Sequence, residues 1–244
     1  MATKALVLNS GGVDSTTCVG LAVEKFGAEN VITASLYYGQ KHSKELECAK
    51  KIAEHYGVRH IEEDISNVMK YAKDVCTLMQ GGEAIEHASY AQQINEHGEG
   101  RVATYVPFRN GLLLSIATAY ADSLFPGEEV EVFYGAHADD AAGSAYADCS
   151  PEFANAMNKA INIGTYGKIT INRPLINMNK AEVVKTGLAI NVPYELTWSC
   201  YEGGEKACGT CGTCRDRIAA FLKNGIEDPI EYEDNSLKKI IAND

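Results

Sequence analysis

Short apolar runs alternate with longer amphipathic stretches along most of the chain. Lys4–Asn9 (KALVLN) reads as a strand covered on both faces, because a brief continuous apolar run ending in turn residues has no solvent side. Asp14–Lys25 predicts the helix that follows. Val31–Tyr37 (VITASLY) predicts a second strand, and Lys44–Tyr56 (KELECAKKIAEHY) an amphipathic helix closed by Gly57. His60–Asp64 is a weaker third strand. Arg109–Leu124 (RNGLLLSIATAYADSL) is apolar nearly all round and predicts a buried helix. Glu131–Tyr134 and Lys168–Asn172 read as strands, Glu152–Ile163 and Lys180–Leu188 as helices. Strands separated by helices predict an α/β fold with a doubly wound parallel sheet, whose ligands lie beyond the carboxyl ends of the strands. The polar, glycine-bounded segment Gly81–Gly100 predicts a mobile loop or lid.

The alternation stops after Val192, where Pro193, the only tryptophan (Trp198) and a run of cysteines follow. This divides the chain into an α/β domain over 1–192 and a small extension over 193–244, in which Arg215–Leu222 reads as a short helix. At 244 residues and 45% apolar composition the chain can bury a core without disulfides, and disorder is excluded. Leu112–Ala121, the longest apolar stretch, is too short to span a membrane, and Met1–Asn9 is too short for a signal peptide. The expectation is a cytoplasmic protein with no membrane partner. The net charge of −11 argues against stable nucleic-acid binding, while leaving room for a local basic pocket.

The first predicted strand runs into Ser10-Gly11-Gly12-Val13-Asp14-Ser15, and a helix begins at once with Thr16 and Thr17. Glycines let successive N–H groups converge, and a helix N-terminus attracts anions. Ser10, Ser15 and Thr16 add hydroxyl donors. Asp14 would repel phosphate alone, so it reads as a ligand for Mg2+ arriving with the phosphates. Neither the G-x-x-x-x-G-K-[ST] nor the G-x-G-x-x-G pattern is present. The hexad S-G-G-x-D-S resembles instead the PP-loop of the ATP pyrophosphatase group, in which the loop holds the β- and γ-phosphates and chemistry occurs at the α-phosphate. The plainer alternative is a glycine turn with a helix cap.

Cys200, Cys208, Cys211 and Cys214 follow C-x7-C-x2-C-x2-C, and Gly203, Gly204, Gly209 and Gly212 supply tight turns between them. Four thiolates suit one structural Zn2+ per chain with no open position. An iron–sulfur cluster and a redox-active C-x2-C pair are the competing readings.

Taken with these motifs, Y-G-Q-K-H (38–42), V-P-F-R-N (106–110), A-D-C-S-P-E-F (147–153), P-L-I (174–176) with Lys180, and T-W-S-C-Y (197–201) make the whole chain resemble the 7-cyano-7-deazaguanine synthase family. The resemblance implies an adenine nucleotide alpha hydrolase-like PP-loop fold with a zinc-bearing extension. It implies an ATP-dependent ligase of queuosine biosynthesis, joining ammonia to 7-carboxy-7-deazaguanine through adenylated acid and amide, and a homodimer. Nucleotide would be held by Leu8, Asn9, Ser10, Gly11, Gly12, Val13, Asp14, Ser15, Thr16, Thr17 and Cys18. Lys180, Arg109 and Asp14 are the candidate catalytic residues. Lys180 would neutralise charge on the α-phosphate, or else be a solvated lysine at a helix start. Arg109 and Asn110 would hold the substrate carboxylate or phosphates, or else cap the helix they begin. Asp148 and Glu152 are candidates to pair with the amidine edge of the base. Tyr38 divides evenly between packing and adenine contact. Cys149 reads as a small buried residue rather than a nucleophile; His137, Asp139 and Asp140 have metal-ligand chemistry but also the look of a solvated loop, and are left out of the metal site. Two departures from the family pattern stand out: Phe108 where many relatives carry glycine, and a longer segment over 135–148.

Three other readings share the loop. A tRNA sulfurtransferase needs a basic platform that this acidic chain lacks, and a glutamine-dependent ligase needs a glutaminase domain. A zinc-stabilised adaptor would bind ATP without forming AMP.

Overall fold

The structure, a computed structural model, describes residues 2–41, 43–81, 103–139 and 146–241. Five parallel strands form one sheet: β1 (Lys4–Leu8), β2 (Val31–Tyr37), β3 (Arg59–Asp64), β4 (Val130–Phe133) and β5 (Ile169–Asn172). Their order is β3-β2-β1-β4-β5, so the winding reverses between β1 and β4. The longer helices are α1 (Val13–Phe26), α2 (Lys44–Tyr56), α3 (Arg109–Leu124), α4 (Pro151–Gly164), α5 (Lys180–Ala189) and α6 (Gly212–Lys223), followed by α7 (Ser236–Ile241). The expected doubly wound sheet is present. No helix among the described residues is long and apolar enough to cross a membrane.

Burial explains why β1 is the central strand. Ala5, Leu6 and Val7 are each fully buried, and alternation sends Ala5 and Val7 to one face and Leu6 to the other. The first face packs on α1, α2 and α5, and the second on α3 and α4. Local signals set the helix ends. The αL residue Gly57 closes α2 by donating to the carbonyls of Ala53 and Glu54. Ser150 caps α4 through Phe153 N, and Asn179 with Glu182 forms a reciprocal capping box on α5.

Strand β2 and helices α2 and α3 occupy the expected ranges, while the other ends move by up to three residues. The expectation of burial all round α3 is corrected. Leu114, Ala117 and Ala121 face the sheet, whereas Ser115, Ala119 and Asp122 are exposed, because one layer of sheet covers one side only. Phe108 takes a left-handed backbone (φ 51) just before α3, a conformation that glycine adopts more readily than a bulky residue. Its ring is exposed and meets Phe153 edge-on at 5.9 Å, away from the cavity described below. The proposed lid falls mostly on residues 82–102, and with His42, Asp140 and the rest of 140–145 it lies outside the described residues.

The residues after Pro193 share a core with β1, α1 and α5, through Tyr194, Trp198, Ile218 and Phe221. A buried ion pair organises them. Arg217 donates from Nε and Nη2 to the two oxygens of Asp228 at 2.6 and 2.9 Å, and both side chains are fully buried. Its remaining donors reach Thr197 Oγ1 (2.7 Å) and the Tyr194 carbonyl (3.1 Å), and Tyr232 donates to Asp228 at 2.6 Å. Burial disfavours the guanidinium charge, but Asp228 outweighs this and raises its pKa. Removing one member strands the other charge in the core. Arg217→Leu is therefore expected to cost about 3–5 kcal/mol in urea unfolding; a loss within error would show that the pair is dispensable.

Candidate functional site

A cavity of about 640 Å³ opens at the carboxyl ends of β1, β2 and β4, at the point where the winding reverses. Its floor is the turn after β1. Gly11 has φ +82, and a Cβ there would overlap the Glu45 carbonyl oxygen and sit 2.8 Å from Ala49 N, so only glycine lets α2 approach. Buried Asn9 braces the turn: its Oδ1 accepts from Gly11 N (3.0 Å) and its Nδ2 donates to the Ala49 carbonyl (3.1 Å). Ser10 and Ser15 are joined through their hydroxyls at 3.1 Å. Gly12 precedes α1 with no side-chain cap. The first-turn amides therefore have no carbonyl to meet within the helix, and Gly12, Val13, Asp14 and Ser15 border the cavity. Gly135, after β4, comes so close to Asp14 and Ser15 that a Cβ would lie 3.1 Å from them.

The predicted nucleotide residues divide. Leu8, Asn9, Ser10, Gly12, Val13, Asp14 and Ser15 line the cavity, and Gly11 shapes it from behind. Thr16 bonds back to the Gly12 carbonyl at 2.7 Å, while Thr17 meets Tyr194 OH at 2.8 Å in the core. Cys18 is fully buried, and burial, with Asp14 nearby, pushes its thiol pKa far up.

Lys180 does not sit in solvent. Its ammonium donates to both oxygens of Asp14 at 2.8 and 2.6 Å, from the start of α5 across to the start of α1. Its backbone amide donates to Asp139 at 2.8 Å. His137, expected in a solvated loop, is instead buried, with Nε2 3.8 Å from Asp14 and 3.5 Å from the Lys180 ammonium. Its isolated position in an alanine-rich stretch gave no periodic signal. Burial alone would raise the Asp14 pKa; Lys180 first and His137 next reverse that, and it lies below the usual carboxylate value.

Lining the same cavity, Arg109 lies 5.7 Å from the Tyr38 ring centroid and donates to its hydroxyl at 3.4 Å. Burial lowers the Arg109 pKa, but Tyr38, Cys149 and Asp148 overcome this and raise it. Asn110 lines the same region. Asp148 is buried beneath and accepts from Asn110 N at 2.9 Å, so it caps the start of α3. Cys149 is buried at the wall and accepts from Asn110 Nδ2 at 3.2 Å. Glu152 is exposed on the first turn of α4 and does not line the cavity.

The four cysteines converge as their spacing predicts. All four Sγ atoms lie within 4.8 Å of one another, and Cys208 and Cys214 are 3.9 Å apart. Sulfurs about 2.3 Å from a tetrahedral ion are separated by about 3.8 Å, so the set fits a metal. The knuckle is tied to the cavity. Trp198 Nε1 donates to the Cys200 carbonyl (2.9 Å), Trp198 N donates to the Gly11 carbonyl (2.9 Å), and the Lys44 ammonium lies 3.7 Å from the indole centroid.

Sheet order, glycine turn and helix N-terminus together define a doubly wound α/β protein whose first loop and helix start open onto a cavity at the switch point. The fold is shared with NMN synthetase from Francisella tularensis, at a TM-score of 0.51 and 16% identity, covering 99% of this chain and 83% of that one. The family model described as queuosine biosynthesis protein QueC matches residues 4–225, and the chain belongs to that family. The protein named 7-cyano-7-deazaguanine synthase from Caldicellulosiruptor saccharolyticus is 44% identical over 94% of this chain and 96% of its own. Its namesake from Archaeoglobus fulgidus is 41% identical over 93% and 89%.

Because Trp198 is the sole tryptophan, it reports on the knuckle. Stripping the metal with a chelator, or Cys208→Ser, is expected to shift its emission to the red and to lower bound metal, measured by mass spectrometry, from one per chain to none. Unchanged emission after complete metal loss would show that the knuckle folds without an ion.

Proposed function

We propose that this chain is an ATP-dependent carbon–nitrogen ligase that converts 7-carboxy-7-deazaguanine and ammonia to 7-cyano-7-deazaguanine for queuosine biosynthesis. The observation that carries the reading is the uncapped start of α1, opening into the cavity beside the Lys180–Asp14 pair in a member of this family. The first-turn amides of α1, with Ser10 and Ser15, hold the β- and γ-phosphates. That leaves the α-phosphorus open to an attacking carboxylate.

Lys180 and Asp14 neutralise one another in the protein alone. Asp14 would hold the Mg2+ that accompanies nucleotide, which would supply positive charge to the phosphates, and Lys180 would then be free to neutralise charge at the α-phosphate. His137 keeps a hydrogen-bonding group beside both. Arg109 orients the substrate carboxylate, which a planar guanidinium grips in two places. The carboxylate oxygen attacks the α-phosphorus and pyrophosphate leaves; ammonia then displaces AMP to give the amide. A second adenylation, on the amide oxygen, lets AMP depart as the nitrile forms. Asn110 belongs to the substrate wall, while Asp148 contributes by holding Asn110 and the start of α3 in place. The four-cysteine knuckle holds a structural Zn2+, whose thiolate ligands leave no position for substrate.

With the carboxylic acid, ammonium and ATP, the expected nucleotide products are AMP and pyrophosphate, separated by chromatography. ADP with orthophosphate would refute adenylation. Lys180→Ala is expected to lower kcat about 100- to 1,000-fold, as for loss of one group that stabilises developing transition-state charge. An unaltered kcat would return Lys180 to a purely structural partner of Asp14.

A further inference from the structure

Glu45 stands on the first turn of α2, and its carboxylate borders the same cavity as Arg109 and Tyr38. Its place is set rigidly: its carbonyl is the group that would collide with a Cβ at Gly11, so α2 begins directly against the phosphate turn. Among the described residues no hydrogen bond, and no ion pair within 4 Å, reaches its carboxylate. A half-buried carboxyl group at a cavity wall with no partner among the described residues is costly to ionise and is open to a ligand in the cavity.

The charged and titratable groups that act on it come from three elements. Arg109 approaches from α3, Tyr38 from the chain after β2, and Cys48 from its own helix; Lys41 lines the same cavity. Arg109 is the cation proposed above for the substrate acid, and it acts electrostatically on Glu45 across the same cavity, so a small cation held by Glu45 would share that cavity with the acid.

We propose that Glu45 binds ammonium at this wall and serves as the general base that converts it to the ammonia nucleophile. This rests on the adenylation reading above. The proton balance is direct. The Glu45 carboxylate takes one proton from NH4+, and the freed lone pair forms the C–N bond to the adenylated carboxyl carbon. The C–O bond to AMP then breaks, and a second proton leaves the new nitrogen for solvent to give the neutral amide. Burial pushes the Glu45 carboxyl up to about 7 although Arg109 opposes this, a value near the pH at which it must both accept and release a proton.

The test uses the full-length protein, 7-carboxy-7-deazaguanine, and two nucleophiles: ammonium, which must lose a proton, and hydroxylamine, which is neutral at pH 7. Glu45→Gln keeps the shape of the protonated side chain. It is expected to leave acid-dependent exchange of pyrophosphate into ATP intact and to lower amide formation from ammonium about 100-fold at pH 7. Hydroxamate formation should stay within about twofold of the unaltered protein, since that nucleophile needs no base to free its lone pair. Raising the pH should restore the variant's amide rate in step with free ammonia. Equal loss with both nucleophiles, loss of exchange, or no loss at all would overturn the role of Glu45. Absence of exchange in the unaltered protein would instead overturn the adenylation reading on which it stands.

Discussion

The absence of a side chain at Gly11 is the constraint on which the site depends. At that position the chain must reverse with positive φ while α2 closes to contact distance behind it. Three elements converge on this one residue. Asn9 fixes its amide, α2 presses on its Cα, and Trp198 donates to its carbonyl. The result is a turn stiff enough to aim the first amides of α1 into the cavity. A helix start whose direction wandered would spread its field instead of focusing it.

That convergence also explains why the cysteine-rich segment belongs to the site although it supplies none of the phosphate-loop groups. Trp198 and Ser199 line the cavity wall, and they are held between two anchors of different chemistry. On one side the thiolate cluster curls the chain from Cys200 to Cys214. On the other, Arg217 gathers Thr197, Tyr194 and Asp228 into a buried network. Lys44 adds a clip from α2, with its ammonium on the Gly204 and Glu205 carbonyls. A metal held by those four sulfurs would in this way brace one wall of the cavity from outside it.

What the sequence disclosed followed from period and spacing. Continuous apolar runs marked the buried strands, a clear amphipathic pattern marked α2, and C-x2-C spacing marked the knuckle. The predicted loop residues through Ser15 border or shape the cavity, but the same string continued into Thr17 and Cys18, which turn into the core because a helix rotates successive residues away from any one face. Glu152 and Asp148 share a motif, yet α4 carries the first outward while the second is buried under α3. His137 and Glu45 were missed for a common reason. Each acquires its chemical surroundings from residues distant in sequence: His137 from Asp14 and Lys180, Glu45 from Arg109.

The distribution of charge within the cavity adds a last step. The chain as a whole carries −11, so long polyanions meet a repulsive surface. Inside, two of the lining cations are set against acids. Lys180 is locked onto Asp14, while Arg109 faces Glu45 without an ion pair shorter than 4 Å. The two arrangements differ in consequence. The locked pair keeps Asp14 ionised, with a pKa below its usual value, so its contribution to stability is complete above the unfolded carboxylate range and is lost only as the pH falls through the folded value. The open pair leaves Glu45 titrating near neutrality; because folding raises its pKa, it lowers stability as the pH climbs above the unfolded carboxylate range, and at neutrality it is free to exchange a proton. One acid is thereby held charged at neutral pH, and the other is held near its midpoint on the wall of the same cavity.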